Sequence, residues 1–195
     1  MAYNPNQSFE FTHIFDAPRE QVFKTWTELG HFAKWWGPKG AMLEVVRMDA
    51  RSGGEFLGFQ TSPDGKLVMW RKFAYLEVVE PEKVAYIQSF SDERGNTVRA
   101  PFRSSWPLEI MNSITFKDDE GKTVLKLTGY PVNASAEEQE SYNAMAPMLQ
   151  QDLEGAFDKL ADYLVSLPLF LKKGKRQPWT FFQSGAAAFS DGARG

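Results

Sequence analysis

Two histidines and no cysteine limit the chemistry that this sequence supports. His13 lies among alternating phenylalanines and His31 lies beside a turn, so neither has partners at the spacing of a metal site or of a nucleophile with its base. Without cysteine, the chain has no thiolate nucleophile, no sulfur-based zinc site and no disulfide. The sequence therefore predicts no metal ion, no cofactor and no catalytic residue among these types.

Carboxylates and one amide are the remaining candidates for chemistry. Glu44, Glu55 and Glu109 fall in strand-like segments, where glutamates usually face solvent, so a catalytic pair is not expected. Asn112 shares the parity of Ile114 and the other apolar residues of its segment, and we expect it to point inward with them. A buried amide needs hydrogen bonds. Two interpretations stay open: protein or water satisfies Asn112, or Asn112 orients a ligand.

Aromatic and apolar side chains are better suited to the wall of a pocket than to a reaction centre. Trp70 and Tyr86 each combine an apolar body with one polar atom. The methionines at positions 145 and 148 favour an adaptable lining, because an unbranched thioether fills irregular space. We expect a ligand-binding pocket formed by Trp36, Phe56, Trp70, Tyr86, Asn112, Met145, Leu149, Leu153 and Phe157.

A long helix over residues 135–167 is expected to close this pocket. Leu149, Leu153 and Phe157 lie at the centre of an apolar stripe whose members recur every three or four residues. Pro147 removes one backbone hydrogen bond and clashes with the preceding turn, so the helix either kinks there or restarts with Pro147 in its first turn.

The start of this helix carries a capping signal. Ser135 is followed three residues later by Glu138, which predicts a capping box in which each side chain accepts a hydrogen bond from the other residue's amide. The strength of this signal makes residue 135 the expected N-cap.

Most of the chain before this helix is typical of antiparallel sheet. Phe9, Phe11, His13 and Phe15 alternate with polar or outward residues, as in a strand with one buried face. Two short helices follow, one from Pro18 to about Trp26, with Asp16 as its N-cap, and one over residues 31–36. Turn sequences then separate six further strands, over residues 41–49, 55–61, 67–80, 84–91, 108–116 and 123–129, with a longer loop over 92–107.

Composition and net charge argue against some classes of binding partner. A net charge of −3 and a pI near 5.5 give no general attraction to nucleic acid or to anionic lipid. No apolar run is long enough to span a membrane and no signal peptide is recognisable, so we expect a cytoplasmic protein. We divide the chain into an N-terminal tail (1–7), one domain (8–168) and a C-terminal tail (169–195). The second tail is either solvated or docks Trp179, Phe181 and Phe182 on a second subunit, giving a homodimer.

Six short motifs occur in an order that resembles a known family: Asp16-Ala17-Pro18; Val22-Phe23 with Trp26-Thr27; Trp35-Trp36-Gly37-Pro38; Asp49-x-Arg51-x-Gly53-Gly54-x-Phe56; Asp64-Gly65-Lys66; and Glu77-Val78-Val79-Glu80-Pro81. Over residues 8–168 the chain resembles bacterial members of the SRPBCC superfamily (the START and birch-pollen-allergen fold). The branch is the one homologous to the C-terminal domain of the heat-shock chaperone ATPase activator. Two departures from the family pattern are Pro147, which interrupts the helix, and Ala156-Phe157, where a glycine-tryptophan pair is common.

The resemblance implies an α+β helix-grip fold. In this fold a curved antiparallel sheet of about seven strands wraps around a long C-terminal helix, with two short helices between strands 1 and 2. We expect a binding module that takes a small apolar or aromatic molecule between sheet and helix. A cyclase or hydrolase on the same fold and a co-chaperone of the stress response, with a chaperone as partner, stay open as alternatives. No acid–base pair is evident for the former. For the latter, we expect no room here for the activator's N-terminal chaperone-binding domain.

Overall fold

A computed structural model describes residues 8–37, 40–62 and 64–168. Both expected tails, the docking of Trp179, Phe181 and Phe182, and Pro38 of the third motif lie outside the described residues. The division of the chain into domain and tails therefore stays a prediction.

The described residues form seven strands and four helices, which confirms the predicted α+β helix-grip fold. Two short helices lie between the first and second strands, and the last two helices follow the final strand. In chain order the elements are β1 (Phe9–Phe15), α1 (Arg19–Thr27), α2 (Leu29–Trp35), β2 (Met42–Met48), β3 (Glu55–Thr61), β4 (Val68–Val79), β5 (Lys83–Phe90), β6 (Ile110–Asp119), β7 (Lys122–Pro131), α3 (Ala136–Ala144) and α4 (Ala146–Ser166).

The strands form one antiparallel sheet in the order β1-β7-β6-β5-β4-β3-β2. Strands β2 to β6 each pair with the next strand in the chain. Short turns connect these pairs, except that the longer loop over 92–107 joins β5 to β6. The register shifts between Val45 and Arg47 and again between Tyr75 and Glu77. Such bulges bend a strand and increase its twist. Strand β1 pairs with β7, so α1 and α2 connect the two opposite edges of the sheet.

The inner face of the sheet carries two separate apolar clusters. The first lies under α1, α2 and α4 and includes Trp35, Phe73 and Phe157. The second lies near α3 and the 92–107 loop, and it consists of Phe90, Ala100, Trp106, Ile110 and Tyr142. Phe9 packs against both clusters. This division leaves space between the clusters on the same face of the sheet.

Pro147 splits the predicted long helix into α3 and α4. It lies in the first turn of α4, where its missing N–H breaks no intrahelical bond. The restart rather than the kink is therefore the correct alternative. The capping box is confirmed at the start of α3: the Ser135 hydroxyl accepts from the Glu138 amide at 3.2 Å, and Glu138 Oε2 accepts from the Ser135 amide at 2.8 Å.

The N-cap expected at Asp16 is wrong. The N-cap of α1 is Pro18, and no side chain caps this helix. Proline fixes φ and suits the entry into a helix, so the chain turns at Pro18 itself, and Asp16 instead lies 3.8 Å from Lys122 Nζ. None of the helices in the described part of the chain combines the length and the apolarity needed to cross a membrane.

Candidate ligand-binding site

A cavity of about 140 Å³ lies between the two apolar clusters, with the sheet as its floor and α3 and α4 as its roof. Its lining combines apolar and aromatic side chains with a few polar ones, the usual composition of a small-molecule site. The complete lining is Phe9, Trp36, Gly37, Gln60, Arg71, Tyr86, Gln88, Trp106, Ile110, Asn112, Leu127, Tyr142, Leu149, Asp152, Leu153 and Ala156.

A row of residues across four strands forms part of the floor. Tyr86 of β5 lies opposite Asn112 of β6, Asn112 opposite Gly129 of β7, and Gly129 opposite Phe9 of β1. A Cβ at position 129 would lie 2.8 Å from the Tyr142 hydroxyl and 3.2 Å from Asn112 Oδ1. Only glycine lets both polar atoms approach the backbone this closely, so glycine at position 129 allows Tyr142 and Asn112 to occupy these places.

Arg71 and Gln60 form the polar end of the floor. Arg71 Nε donates a hydrogen bond to Gln60 Oε1 at 3.2 Å, and the guanidinium carbon lies 4.7 Å from the centroid of the Phe90 ring. Burial lowers the pKa of Arg71, and the charge of Asp152 opposes this effect. An arginine keeps its proton even so. The cavity therefore contains a fixed positive charge.

The roof comes from α4, which presents Leu149, Leu153 and Ala156 to the floor. Asp152 lies on the same side of this helix and keeps an exposed position at the edge of the cavity. Burial raises the pKa of its carboxyl, while the guanidinium of Arg71 acts in the opposite direction. No ion pair with an N···O distance within 4.0 Å joins these two side chains in the described structure. Their charges thus act on the cavity from opposite walls.

Two tyrosine hydroxyls border the same space. Tyr86 and Tyr142 are both buried, and burial raises the pKa of each phenol. Neither hydroxyl has a hydrogen-bond partner within the described residues. Both phenols therefore stay protonated at neutral pH and are available as donors toward a ligand.

The structure brings five of the nine predicted site residues to the cavity and places four elsewhere. Trp36, Tyr86, Asn112, Leu149 and Leu153 line it. The residues that do not line it are Phe56, Trp70, Met145 and Phe157.

Trp70 does not line the cavity, because its position along β4 places it on the opposite face of the sheet. Phe73 and Tyr75 of β4 are buried in the core and Arg71 lines the cavity, so Trp70 must face the opposite side. There it lies 4.7 Å from Phe59, its cross-strand neighbour, measured between ring centroids.

The other three excluded residues belong to the clusters beside the cavity. Phe56 is fully buried and stacks on Phe73, with ring centroids 4.6 Å apart. Phe157 is fully buried among the aromatic rings of the first cluster. Met145, at the junction of α3 and α4, packs against the second cluster. These residues support the walls and do not line them.

Four polar lining residues, Gln60, Arg71, Gln88 and Asp152, are absent from the predicted site, although the three on strands carried a signal. Gln60, Arg71 and Gln88 have the inward parity of their strands, the same argument that identified Asn112. Gln88 is separated from Tyr86 by two positions on β5, and Arg71 is separated from Phe73 by two positions on β4. Their polar type alone favours an outward position, and strand parity overrides it.

Asn112 is buried, as its parity predicts, and its Nδ2 donates to the Ile110 carbonyl at 3.3 Å. The protein thus supplies one long hydrogen bond, and Oδ1 lies toward Gly129 at the cavity floor. The interpretation in which the protein satisfies Asn112 thus holds for Nδ2, and the orientation of a ligand by Asn112 stays a prediction.

The remaining chemical candidates lie away from the cavity. His13 packs its ring against Phe15 and Phe157, and His31 Nδ1 lies 2.7 Å from the Tyr163 hydroxyl. Glu55 pairs with Arg47 at 2.5 Å on the surface. Neither Glu44 nor Glu109 belongs to the lining. In the described ranges no group of three or more His, Asp or Glu side chains is arranged to hold a metal ion.

A sequence model of the family described as Activator of Hsp90 ATPase homolog 1-like protein matches residues 16–165. No curated protein matches the sequence.

Several solved structures share the fold. The crystal structure of protein Ms6760 from Mycobacterium smegmatis is 24% identical, with a TM-score of 0.68, over 86% of this chain and 96% of that one. A solution structure from Staphylococcus epidermidis is 20% identical, with a TM-score of 0.67, over 90% and 98%. Another from Arthrobacter aurescens is 19% identical, with a TM-score of 0.68, over 88% and 93%. At these identities the structures establish the fold alone. Together with the family match, they confirm the resemblance to the SRPBCC superfamily.

Proposed function

Because this chain belongs to the Activator of Hsp90 ATPase homolog 1-like family, we propose that it binds a small aromatic or apolar molecule in the cavity between its sheet and α4. The observation that carries the proposal is the space between the two apolar clusters, which side chains leave open at about 140 Å³. An apolar cavity of roughly 150 Å³ holds benzene. The ligand we propose is therefore about the size of one substituted aromatic ring.

The aromatic part of the lining supports a flat ligand. Trp36 and Trp106 lie on the wall, and Phe9 and Tyr86 lie on the floor. Aromatic rings favour offset or edge-to-face contact with another ring, beyond the gain from burial alone. Leu149 and Leu153 of α4 close the space from above. A single ring can contact all three sides at once.

Binding is favoured over catalysis by the inventory of the lining. No histidine occurs among the described residues that line the cavity, and its only charged side chains are Arg71 and Asp152. A nucleophile held next to a base is thus not part of this arrangement. A chaperone partner, a role in stress response, the cytoplasmic location and the homodimer stay predictions.

The experiment is calorimetric titration of the full chain with toluene and with indole, next to a variant whose cavity is filled. Leu149→Trp adds a large side chain to the roof and should abolish binding of both compounds. Met148→Trp is the matched control, because Met148 is the adjacent residue of α4 and is 53% exposed. We expect the control to bind like the wild type. The proposal is overturned if the wild type binds neither toluene nor indole. It is also overturned if Leu149→Trp binds them as tightly as the wild type does.

A further inference from the structure

The guanidinium of Arg71 has more donors than the protein uses. It carries five N–H groups, and its one side-chain hydrogen bond within the described residues goes from Nε to Gln60 Oε1. No carboxylate of the described chain lies within 4.0 Å of it. The side chain is partly exposed to solvent, so its free donors are accessible from the cavity. The terminal nitrogens thus have no partner among the described residues and are open to a ligand.

Gln60 fixes the direction in which these nitrogens point. Its side chain is 3% exposed and lies directly against Gly37, where a Cβ would be 2.0 Å from Gln60 Nε2. Gly37 has a φ of +101°, which favours glycine. The amide is therefore held between the Gly37 backbone and Arg71. With Phe90 at 4.7 Å from the guanidinium carbon, the arginine is held from two sides before any ligand arrives.

Further donors lie around the same space. The Tyr86 and Tyr142 hydroxyls border the cavity without partners in the described structure. Oxygen atoms of a ligand at this end would therefore meet cationic and neutral donors together. Charge-assisted hydrogen bonds are about twice as strong as neutral ones, and arginine binds a carboxylate with two parallel bonds.

We propose that Arg71, held by Gln60, binds the carboxylate of a small aromatic acid whose ring occupies the apolar part of the cavity. This inference rests on the proposed function, because it assigns the ligand class of the same cavity. The volume of about 140 Å³ limits the acid to roughly one ring with its carboxylate, as in benzoate.

A variant of Asp152 tests whether the ligand is negatively charged. Its carboxyl faces the same cavity from α4 and does not pair with Arg71 within 4.0 Å. A negative charge there opposes an anionic ligand, and its removal leaves the attraction of Arg71 uncompensated. Asp152→Asn should therefore tighten binding of an acid and leave binding of a neutral ring unchanged.

The test compares benzoate with benzamide, which has nearly the same shape without the charge, by titrating the wild-type full chain. We expect benzoate to bind about tenfold more tightly or better, the usual size of a charge-assisted bond. This comparison needs no variant. Toluene is included to report on the cavity by itself.

Variants then identify the residues responsible for the preference for benzoate over benzamide. Arg71→Gln should abolish the preference for benzoate over benzamide while toluene binding persists, and Arg71→Lys should retain only part of the preference, because ammonium does not form the two parallel bonds. Asp152→Asn should increase it. Thermal melts verify that each variant is folded.

The outcomes separate the two proposals. Toluene binding with equal affinity for benzoate and benzamide overturns the carboxylate assignment and leaves the cavity function standing. The same holds if folded Arg71→Gln keeps the full preference for benzoate. Failure of all three compounds to bind the wild type overturns both proposals.

Discussion

Gly37 and Gln60 are in direct contact where the chain passes from α2 toward β2, and no side chain fits between them. A Cβ at position 37 would lie 2.0 Å from Gln60 Nε2, well inside any tolerated separation. The Gly37 carbonyl also accepts a hydrogen bond from Lys159 Nζ of α4 at 3.1 Å. One glycine thus joins the roof of the cavity to the amide that positions Arg71.

Gly37→Ala should destabilise the fold and weaken ligand binding. Gly53→Ala is the control, since Gly53 also has a positive φ, +81°, but a Cβ at position 53 would have no heavy atom within 4 Å. A positive φ costs alanine roughly 1–2 kcal/mol in both variants, whereas only Gly37→Ala displaces Gln60. Urea denaturation measures the difference. Equal losses in the two variants would show that the Gln60 contact is unimportant.

Phe157→Ala should lower the free energy of unfolding by about 3–5 kcal/mol, because it empties the centre of the first cluster. The Phe157 ring is fully buried and lies 5.4 Å from the centroid of Phe11 and 6.1 Å from that of Trp26. Val165→Ala in the same helix removes a side chain that is 88% exposed and should change little. Chemical denaturation of both variants provides the measurement. A loss below about 1 kcal/mol for Phe157→Ala would contradict this role.

Asn112→Leu should weaken a polar-headed ligand more than it weakens the fold. Its one hydrogen bond to the protein is long, 3.3 Å to the carbonyl of Ile110. We expect benzamide to lose about 1–3 kcal/mol of binding free energy relative to toluene. Asn143→Leu, a change to an exposed amide of α3 that bonds Gln139, is the control. A lowered melting temperature with unchanged binding would instead make Asn112 a structural residue.

Ser135→Ala should cost about 0.5–2 kcal/mol, because the capping box loses the oxygen that accepts from the Glu138 amide. Glu138 also bonds Arg99 of the 92–107 loop, and this contact, followed by the Ser135 amide, holds the pKa of Glu138 below its ordinary value. Thermal melts measure this loss of stability. Ser135→Asp preserves the cap and should restore most of the lost stability. A melting temperature of Ser135→Ala equal to that of the wild type would show that the cap does not stabilise the fold.

His13 should make stability fall on mild acidification. Burial lowers its pKa below 6.5, and the charge of Asp158 offsets this only in part. The native state then binds the proton less well than the unfolded chain. Its contribution is therefore complete above about pH 6.5 and declines as the pH falls toward the lower native pKa.

Denaturation at about pH 7.5 and about pH 5.5 measures this dependence. His13→Phe, which matches the neighbouring phenylalanines of β1, should flatten it. An unchanged slope in His13→Phe would assign the dependence to other groups.

Local patterns in the sequence were sufficient for most of the fold. Period-two runs and turn residues place the seven strands within a few residues of their observed ends, and the Ser135 capping box marks α3 correctly. These features depend on neighbours in the chain, which the sequence displays directly. Parity also places Arg71 and Gln88 inward and Trp70 outward when it is applied to polar and aromatic residues alike.

The composition of the candidate site could not be predicted in full from local patterns, because it depends on contacts between segments that are distant in the sequence. Phe56 and Asn112 both point inward, yet only Asn112 reaches the cavity, because Phe56 is packed inside the first apolar cluster. The row of residues from Tyr86 to Phe9 on the cavity floor forms only when β1 pairs with β7, and these two strands are more than a hundred residues apart in the sequence. Gly37 likewise meets Gln60 and Lys159 only in the folded chain. Periodicity predicts which face of an element is buried, whereas the packing of remote elements decides whether that face meets a side chain or an open space.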